Sequence, residues 1–168
     1  MGQDEGRFGR MSRPRRCWAP PGIRPHAPAQ VVRESMYIFA AVAPSQGLLS
    51  ALILPSANTA MMNLFLEHVS QTFRDYFIIM QTDQASWHHS KELIIPANIH
   101  LIQQPAYSPE LNPVEHVWEE LREKYLHNRV FPSLDALVER LCQGLNELAD
   151  DKERISSMMG FPHLNVSI

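Results

Sequence analysis

Cysteine is scarce in this chain. Cys17 and Cys142 lie far apart with no metal-binding spacing, which excludes a disulfide framework and suits a reducing compartment. Long hydrophobic runs are missing as well. The longest lie near 36–43 and 48–54, and each is too short to cross a bilayer. The opening MGQDEGRFGR has no apolar core, so it does not read as a signal peptide. Gly6 stands where a myristoylation motif wants Ser or Thr. Repeats and low-complexity tracts are absent, which leaves out solenoids and linkers. Net charge is only −3, so the chain as a whole is not a basic nucleic-acid binder. A soluble cytoplasmic protein is the expectation.

What is present is ordinary globular composition, 45% hydrophobic and 20% charged over 168 residues, enough for one domain with a core. The charge is uneven. Seven of the fifteen Lys and Arg residues fall between Arg7 and Arg33, opposed only by Asp4 and Glu5 before Glu34. The cluster Arg13, Arg15 and Arg16 suits either phosphate contact or a solvated arm.

Residues 11–33, rich in Arg and Pro, read as loop with at most a short strand. Met36–Ala43 and Leu48–Leu54, split by Pro44-Ser-Gln-Gly47, read as a hairpin. Neither run alternates strictly with polar residues, which a sheet covered on both faces explains. Asn58 caps a helix carrying Met62, Leu66, Val69 and Phe73 at helical spacing. Tyr76–Met80 reads as a buried strand, and a short strand is expected at 99–102. Asn112-Pro113 opens a helix with the stripe Val114, Val117, Trp118, Leu121 and Tyr125. Pro132-Ser133 starts another helix, striped by Leu134, Leu137, Val138, Leu141, Leu145 and Leu148. After Asp151 the pattern weakens and the tail reads as loosely held. This order predicts an α/β or α+β layered domain with its core at about 36–150.

Three carboxylates stand out. Asp83 directly follows an apolar strand, where α/β sheets place ligands and where turn aspartates also sit. Glu115 lies three residues after Asn112, placed either to close a capping box or to project from a rigid, proline-punctuated lead (Gln104 to Pro113). Asp4 sits beside the terminus. Carboxylates from distant parts of a chain are what a two-metal phosphoryl-transfer site needs, because magnesium takes oxygen ligands. Spacing alone leaves such a cluster open.

Asp83-Gln-Ala-Ser-Trp-His88 and Ser108-Pro-Glu-Leu-Asn-Pro-Val-Glu-His-Val-Trp118 closely resemble bacterial insertion-sequence transposases of the mariner superfamily, the insertion sequence 630 group. Asp4-Glu-Gly-Arg-Phe-Gly9, the Arg16-Cys-Trp-Ala-Pro20 run and the Ala40–Pro44 hairpin fit the same family in order, so the resemblance covers nearly the whole chain.

The resemblance implies a single ribonuclease H-like catalytic domain over 1–168, a mixed sheet flanked by helices. It implies a catalytic and metal-binding triad of Asp4, Asp83 and Glu115, the last two separated by 115 − 83 = 32 positions. Gln84, His88 and Asn112 are the neighbours that would orient these ligands. Two magnesium or manganese ions are implied, with DNA as partner at transposon ends and target, and Arg13, Arg15 and Arg16 as its contacts. Nicking at the ends followed by 3′-hydroxyl attack on target DNA, without a covalent protein–DNA intermediate, is the implied chemistry. So are a homodimer or pairing with a full-length subunit, and a bacterial, nucleoid-associated location.

The chain departs from the pattern in three ways. Gln84 stands where the family usually has Asn. No helix-turn-helix module precedes the domain. Only Met1-Gly-Gln3 lead into Asp4, so a truncated first strand and a poorly anchored Asp4 are expected. A catalytically weak remnant that only binds DNA or a full-length subunit is therefore the alternative to an active transposase.

Overall fold

The computed structural model describes residues 1–12, 14–106 and 108–158. Five strands form one mixed sheet in the order β3-β2-β1-β4-β5. β1 (Gly2–Met11), β2 (Val31–Ala43) and β3 (Leu48–Leu54) are antiparallel neighbours, while β4 (Ile78–Thr82) and β5 (Ile99–Gln103) extend the sheet in parallel. Helix α1 (Thr59–Thr72) crosses between β3 and β4. Helices α2 (Val114–Glu120), α3 (Leu134–Asp150) and α4 (Lys152–Met158) follow the sheet. Among the described residues no helix is long and apolar enough to cross a membrane.

Both faces of the sheet are covered at β2, and alternation along that strand shows how, while Ile79 of β4 and Ile102 of β5 are exposed. Ile38, Ala40 and Val42 pack with Trp118, Leu121, Leu137, Leu141 and Ile155 from the later helices. Phe39 and Ala41 point the other way, against Met62, Phe65, Leu66 and Val69 of α1. Each face buries apolar side chains, so the strand shows no polar partner set. The hairpin expected at 36–43 and 48–54 is present, and β2 begins five residues earlier, at Val31.

The caps follow local chemistry. Asn58 accepts from the Met61 amide and Ser133 from the Ala136 amide. α2 runs directly into a π-helical turn, Leu121–Tyr125, with Leu121 and Tyr125 buried.

Three expectations change. The first strand is not cut short where it matters: β1 is ten residues long, occupies the centre of the sheet and runs seven residues past Asp4. It lies outside the 36–150 stretch expected as core, yet Phe8 is buried in that core. The strand expected at 76–80 is shifted to 78–82, with Tyr76 and Phe77 exposed. The tail after Asp151 forms α4, which buries Ile155, packs Met158 against the same core and bonds through Ser156 to the Pro44 carbonyl.

Candidate active site

Alternation along β1 divides its polar residues between the two faces. Asp4 shares its face with Gly2, Gly6 and Phe8. A Cβ on Gly2 would collide with the Pro113 ring and one on Gly6 with the Trp118 indole, so α2 lies close over this face. Gln3 and Glu5 point to the opposite face.

On the α2 face, Asp4 is held by the Trp118 indole, whose Nε1 donates to Asp4 Oδ2 at 2.9 Å. Asp4 is therefore well anchored, against the expectation from its place near the terminus. Burial pushes its carboxyl up to about 6. The Trp118 bond works against that rise, and the nearby charges of Glu5 and Glu115 add to it. Glu115 thus lies close enough to Asp4 to act on it electrostatically.

Asn112 sets this proximity. Its Nδ2 donates to the Gln3 carbonyl on β1 at 3.2 Å, while its Oδ1 accepts from the Val114 amide at 3.1 Å. One buried amide both caps the helix and fastens its start to the strand that carries Asp4. The capping box with Glu115 does not close, because the Asn112 amide donates to the Pro109 carbonyl. Glu115 is left on the first turn of α2 without that task.

Asp83 follows β4, the parallel neighbour of β1. Gly2 pairs with Gln81, and Asp83 lies just past the carboxyl end of β4. Its carboxylate faces a different partner, however. Asp83 Oδ1 lies 2.8 Å from His88 Nδ1 and accepts the Ala85 amide at 2.9 Å. The His88 hydrogen bond holds the Asp83 carboxyl below its usual range.

His88 is buried, and its Nε2 meets Glu5 Oε1 at 3.1 Å. Burial opposes the charge on His88, but the hydrogen bonds to Asp83 and Glu5 outweigh it and hold its pKa up at about 10. Within the described residues, Glu5, Asp83 and His88 form the one group whose ligand atoms lie within 4.8 Å of each other.

The structure thus holds Asp4 against Trp118 of α2, the helix that bears Glu115 on its first turn, and joins Asp83 to His88 and Glu5. Gln84 donates to the Gln104 carbonyl and touches none of the three carboxylates. Arg15 is tied through its backbone to the Asn128 amide and through its guanidinium to Glu123, beside the Phe8–Met11 end of β1. That is roughly 20 Å along the strand from Asp4. Arg16 is exposed, and Arg13 lies outside the described residues.

Sequence reasoning passes over Glu5 and over the donor roles of Trp118 and Trp87. The available signal was two-residue alternation, which sets neighbouring carboxylates on opposite faces. Trp118 is core, as its stripe predicts, and Trp87 is half-buried, donating to Glu5 at 3.3 Å.

The donor set fits a hard divalent cation. Asp4, Asp83 and Glu115 offer only carboxylate oxygens, and burial already disfavours the Asp4 charge, a cost that a cation offsets.

Comparison with known proteins bears on the family and the fold. The Sinorhizobium fredii protein y4pE/y4sA is 39% identical over 123 residues, covering 73% of this chain and 91% of that one. The Tc3 transposable-element transposase of Caenorhabditis elegans is 29% identical over 86 residues, 51% of this chain and 21% of its own. Among solved structures, the pre-cleavage Mos1 transpososome aligns with a TM-score of 0.65 at 16% identity, over 95% of this chain and 55% of that one. The mariner Mos1 paired-end complex with Mn aligns with a TM-score of 0.61 at 18% identity over the same shares. The chain therefore spans about half the length of the Mos1 chains and shares their fold over that span. The family model for DDE superfamily endonucleases matches residues 2–138, and the chain belongs to that family.

Proposed function

We propose that this chain is a single catalytic domain of a DNA transposase, cleaving and joining phosphodiesters at transposon ends. Asp4, Asp83 and Glu115 are its catalytic carboxylates. The observation that carries the reading is that Trp118 of α2, the helix whose first turn bears Glu115, holds the Asp4 carboxylate, with Asp83 just past the end of the neighbouring parallel strand. Membership of the DDE endonuclease family and the likeness to a Mos1 paired-end complex with Mn support it.

The chain's own residues supply the frame. Asn112 fixes the start of α2 against β1, which sets Glu115 beside Asp4. Trp118 holds Asp4 from the same helix. His88 holds Asp83 from behind. Magnesium or manganese held by these three carboxylates, as two ions, would activate the attacking oxygen and stabilise the leaving one. The reaction class is nicking at the ends, then attack of the freed 3′-hydroxyl on target DNA.

DNA is the proposed partner, with Arg13, Arg15 and Arg16 as phosphate contacts. A homodimer or pairing with a longer subunit completes the assembly, associated with the nucleoid of a bacterial host. A second reading, a DNA-binding remnant of low activity, is favoured by one observation: the Asp83 carboxylate is engaged by His88.

The test is Mn²⁺-dependent nicking of a transposon-end duplex by the wild type and by Asp83→Ala. Nicking by the wild type alone is expected. Equal nicking by both would sink the catalytic assignment, and no nicking by either favours the second reading.

A further inference from the structure

The face of β1 opposite Asp4 holds a carboxylate that the proposed triad does not use. Glu5 is nearly enclosed, with 5% of its side chain exposed. A single oxygen, Oε1, collects three N–H donors: Gln3 Nε2 at 3.0 Å, His88 Nε2 at 3.1 Å and Trp87 Nε1 at 3.3 Å. Burying a carboxylate this deeply costs stability even when it is well partnered, and an apolar side chain would pack there at less expense. Such an arrangement points to positioning rather than to strength of the fold.

The chain of contacts leads outward from Glu5. His88, 1% exposed, stands between Glu5 and Asp83, with Nε2 toward Glu5 Oε1 and Nδ1 2.8 Å from Asp83 Oδ1 and 3.2 Å from the Asp83 backbone carbonyl oxygen. Asp83 is 43% exposed, so the bridge runs from the interior to the surface. At its outer end the two contacts converge on one atom: both His88 Nδ1 and the Ala85 amide meet Asp83 Oδ1. Two contacts to one oxygen fix the plane of the carboxylate. Among the described residues Oδ2 has no hydrogen-bond donor, and it is the oxygen left for a ligand.

We infer that Glu5 is a positioning residue for Asp83, acting through His88 to hold Oδ1 and present Oδ2 to a divalent cation. This rests on the reading of Asp83 as a metal ligand. Glu5 itself faces away from the Asp4 side of the strand, so it works as a backing group and not as a fourth ligand. Partners that orient a ligating carboxylate typically change metal affinity by 10–100-fold when removed.

The test is Mn²⁺ binding by titration calorimetry to the 168-residue chain without DNA, alongside metal-free thermal melts. Glu5→Ala is expected to weaken Mn²⁺ binding by about 10-fold or more. Glu5→Gln keeps an acceptor for the same donors and is expected to stay within about 3-fold of the wild type. His88→Ala breaks the bridge at its middle and serves where Glu5→Ala fails to fold. It should show the same weakening, and adding Glu5→Ala to it should change affinity by less than about 2-fold. Wild-type affinity in folded Glu5→Ala or His88→Ala, with only the melting temperature lowered, overturns the inference. Equal binding by the wild type and Asp83→Ala overturns the metal reading of Asp83 instead.

Discussion

The indole Nε1 of Trp118 reaches Oδ2 of Asp4 across 114 positions of sequence, at 2.9 Å. Trp118 follows Glu115 by three residues, so one helix face carries both a proposed ligand and the donor that steadies another. Trp118→Phe keeps most of the ring packing on Phe8, where the centroids are 5.6 Å apart, and removes only the donor. The expected loss is about 1–3 kcal/mol in urea unfolding. The Asp4 carboxyl should titrate higher still, because the lost bond favoured its charged form. An unchanged Asp4 titration by carbon-13 NMR would show that the bond has no influence.

Asp4 makes the metal-free fold sensitive to acidity in a defined direction. Burial raises its pKa from 3.8 to about 6, so its contribution is fully favourable below pH 4 and is lost as pH rises through 6. The loss amounts to about 3 kcal/mol. Asp4→Asn keeps an acceptor for Trp118 and carries no charge. It should melt near the wild type at pH 4 and several degrees higher at pH 7, while abolishing nicking. A constant difference between the two proteins from pH 4 to 7 would rule out this origin. His88 acts in a separate window, favouring the fold below pH 6.5 and losing that effect as pH approaches 10.

Cation binding should reverse the Asp4 penalty. At pH 7.5, Mn²⁺ at 100 times its dissociation constant should stabilise the protein by about 2.7 kcal/mol. At pH 5 the Asp4 carboxyl is mostly protonated, and the same concentration should stabilise less. Melts at the two pH values with and without Mn²⁺ measure this, and an equal gain at both would contradict it.

Gly6 is where β1 yields space to α2. A Cβ there would lie 2.7 Å from Phe8 Cε2 and 3.0 Å from two atoms of the Trp118 ring. Gly6→Ala should therefore push the indole from Asp4 and destabilise by about 1–3 kcal/mol. Wild-type stability in this variant would mean that the helix gives way freely.

The arginine segment lies at the far end of β1 and should act on DNA binding alone. Arg16→Ala should lower affinity for any duplex by a similar factor and reduce the salt slope by about one. Anisotropy titrations across salt concentrations read both. Arg15→Ala also breaks the ion pair with Glu123, so Arg16 gives the cleaner result.

Where structure is local, the chain is easy to read. The β2–β3 hairpin follows from two apolar runs about a Pro/Gly turn, and Asn58, Ser133 and Asn112-Pro113 mark helix starts with their own side chains. β1 is hidden because three glycines and four charged residues make it resemble a loop. Its strand character comes from its place in the sheet, where Gly2 and Gly6 admit α2. The first residues of β2 include the exposed Val31, Arg33 and Glu34, which carry no core signal. α4 escapes because one buried Ile155 makes no period. For the site, motif spacing points to Asp4, Asp83 and Glu115. Which carboxylate meets which partner depends on strand alternation and on the turn after β4. Glu5 becomes visible only once β1 is recognised as a strand.

The sheet order has a kinetic consequence. β2 and β3 are joined by four residues, whereas the seam between β1 and β4 pairs Gly2 with Gln81. Closing that long loop is the most entropically costly pairing in the sheet, and such contacts form late. Asp4 belongs to the half that can assemble early, and Asp83 to the half across the seam. A nascent or partly folded chain therefore has its carboxylates apart. If the triad is the nuclease, cutting competence arrives only with the last strand pairing, and an unfinished chain is harmless to DNA.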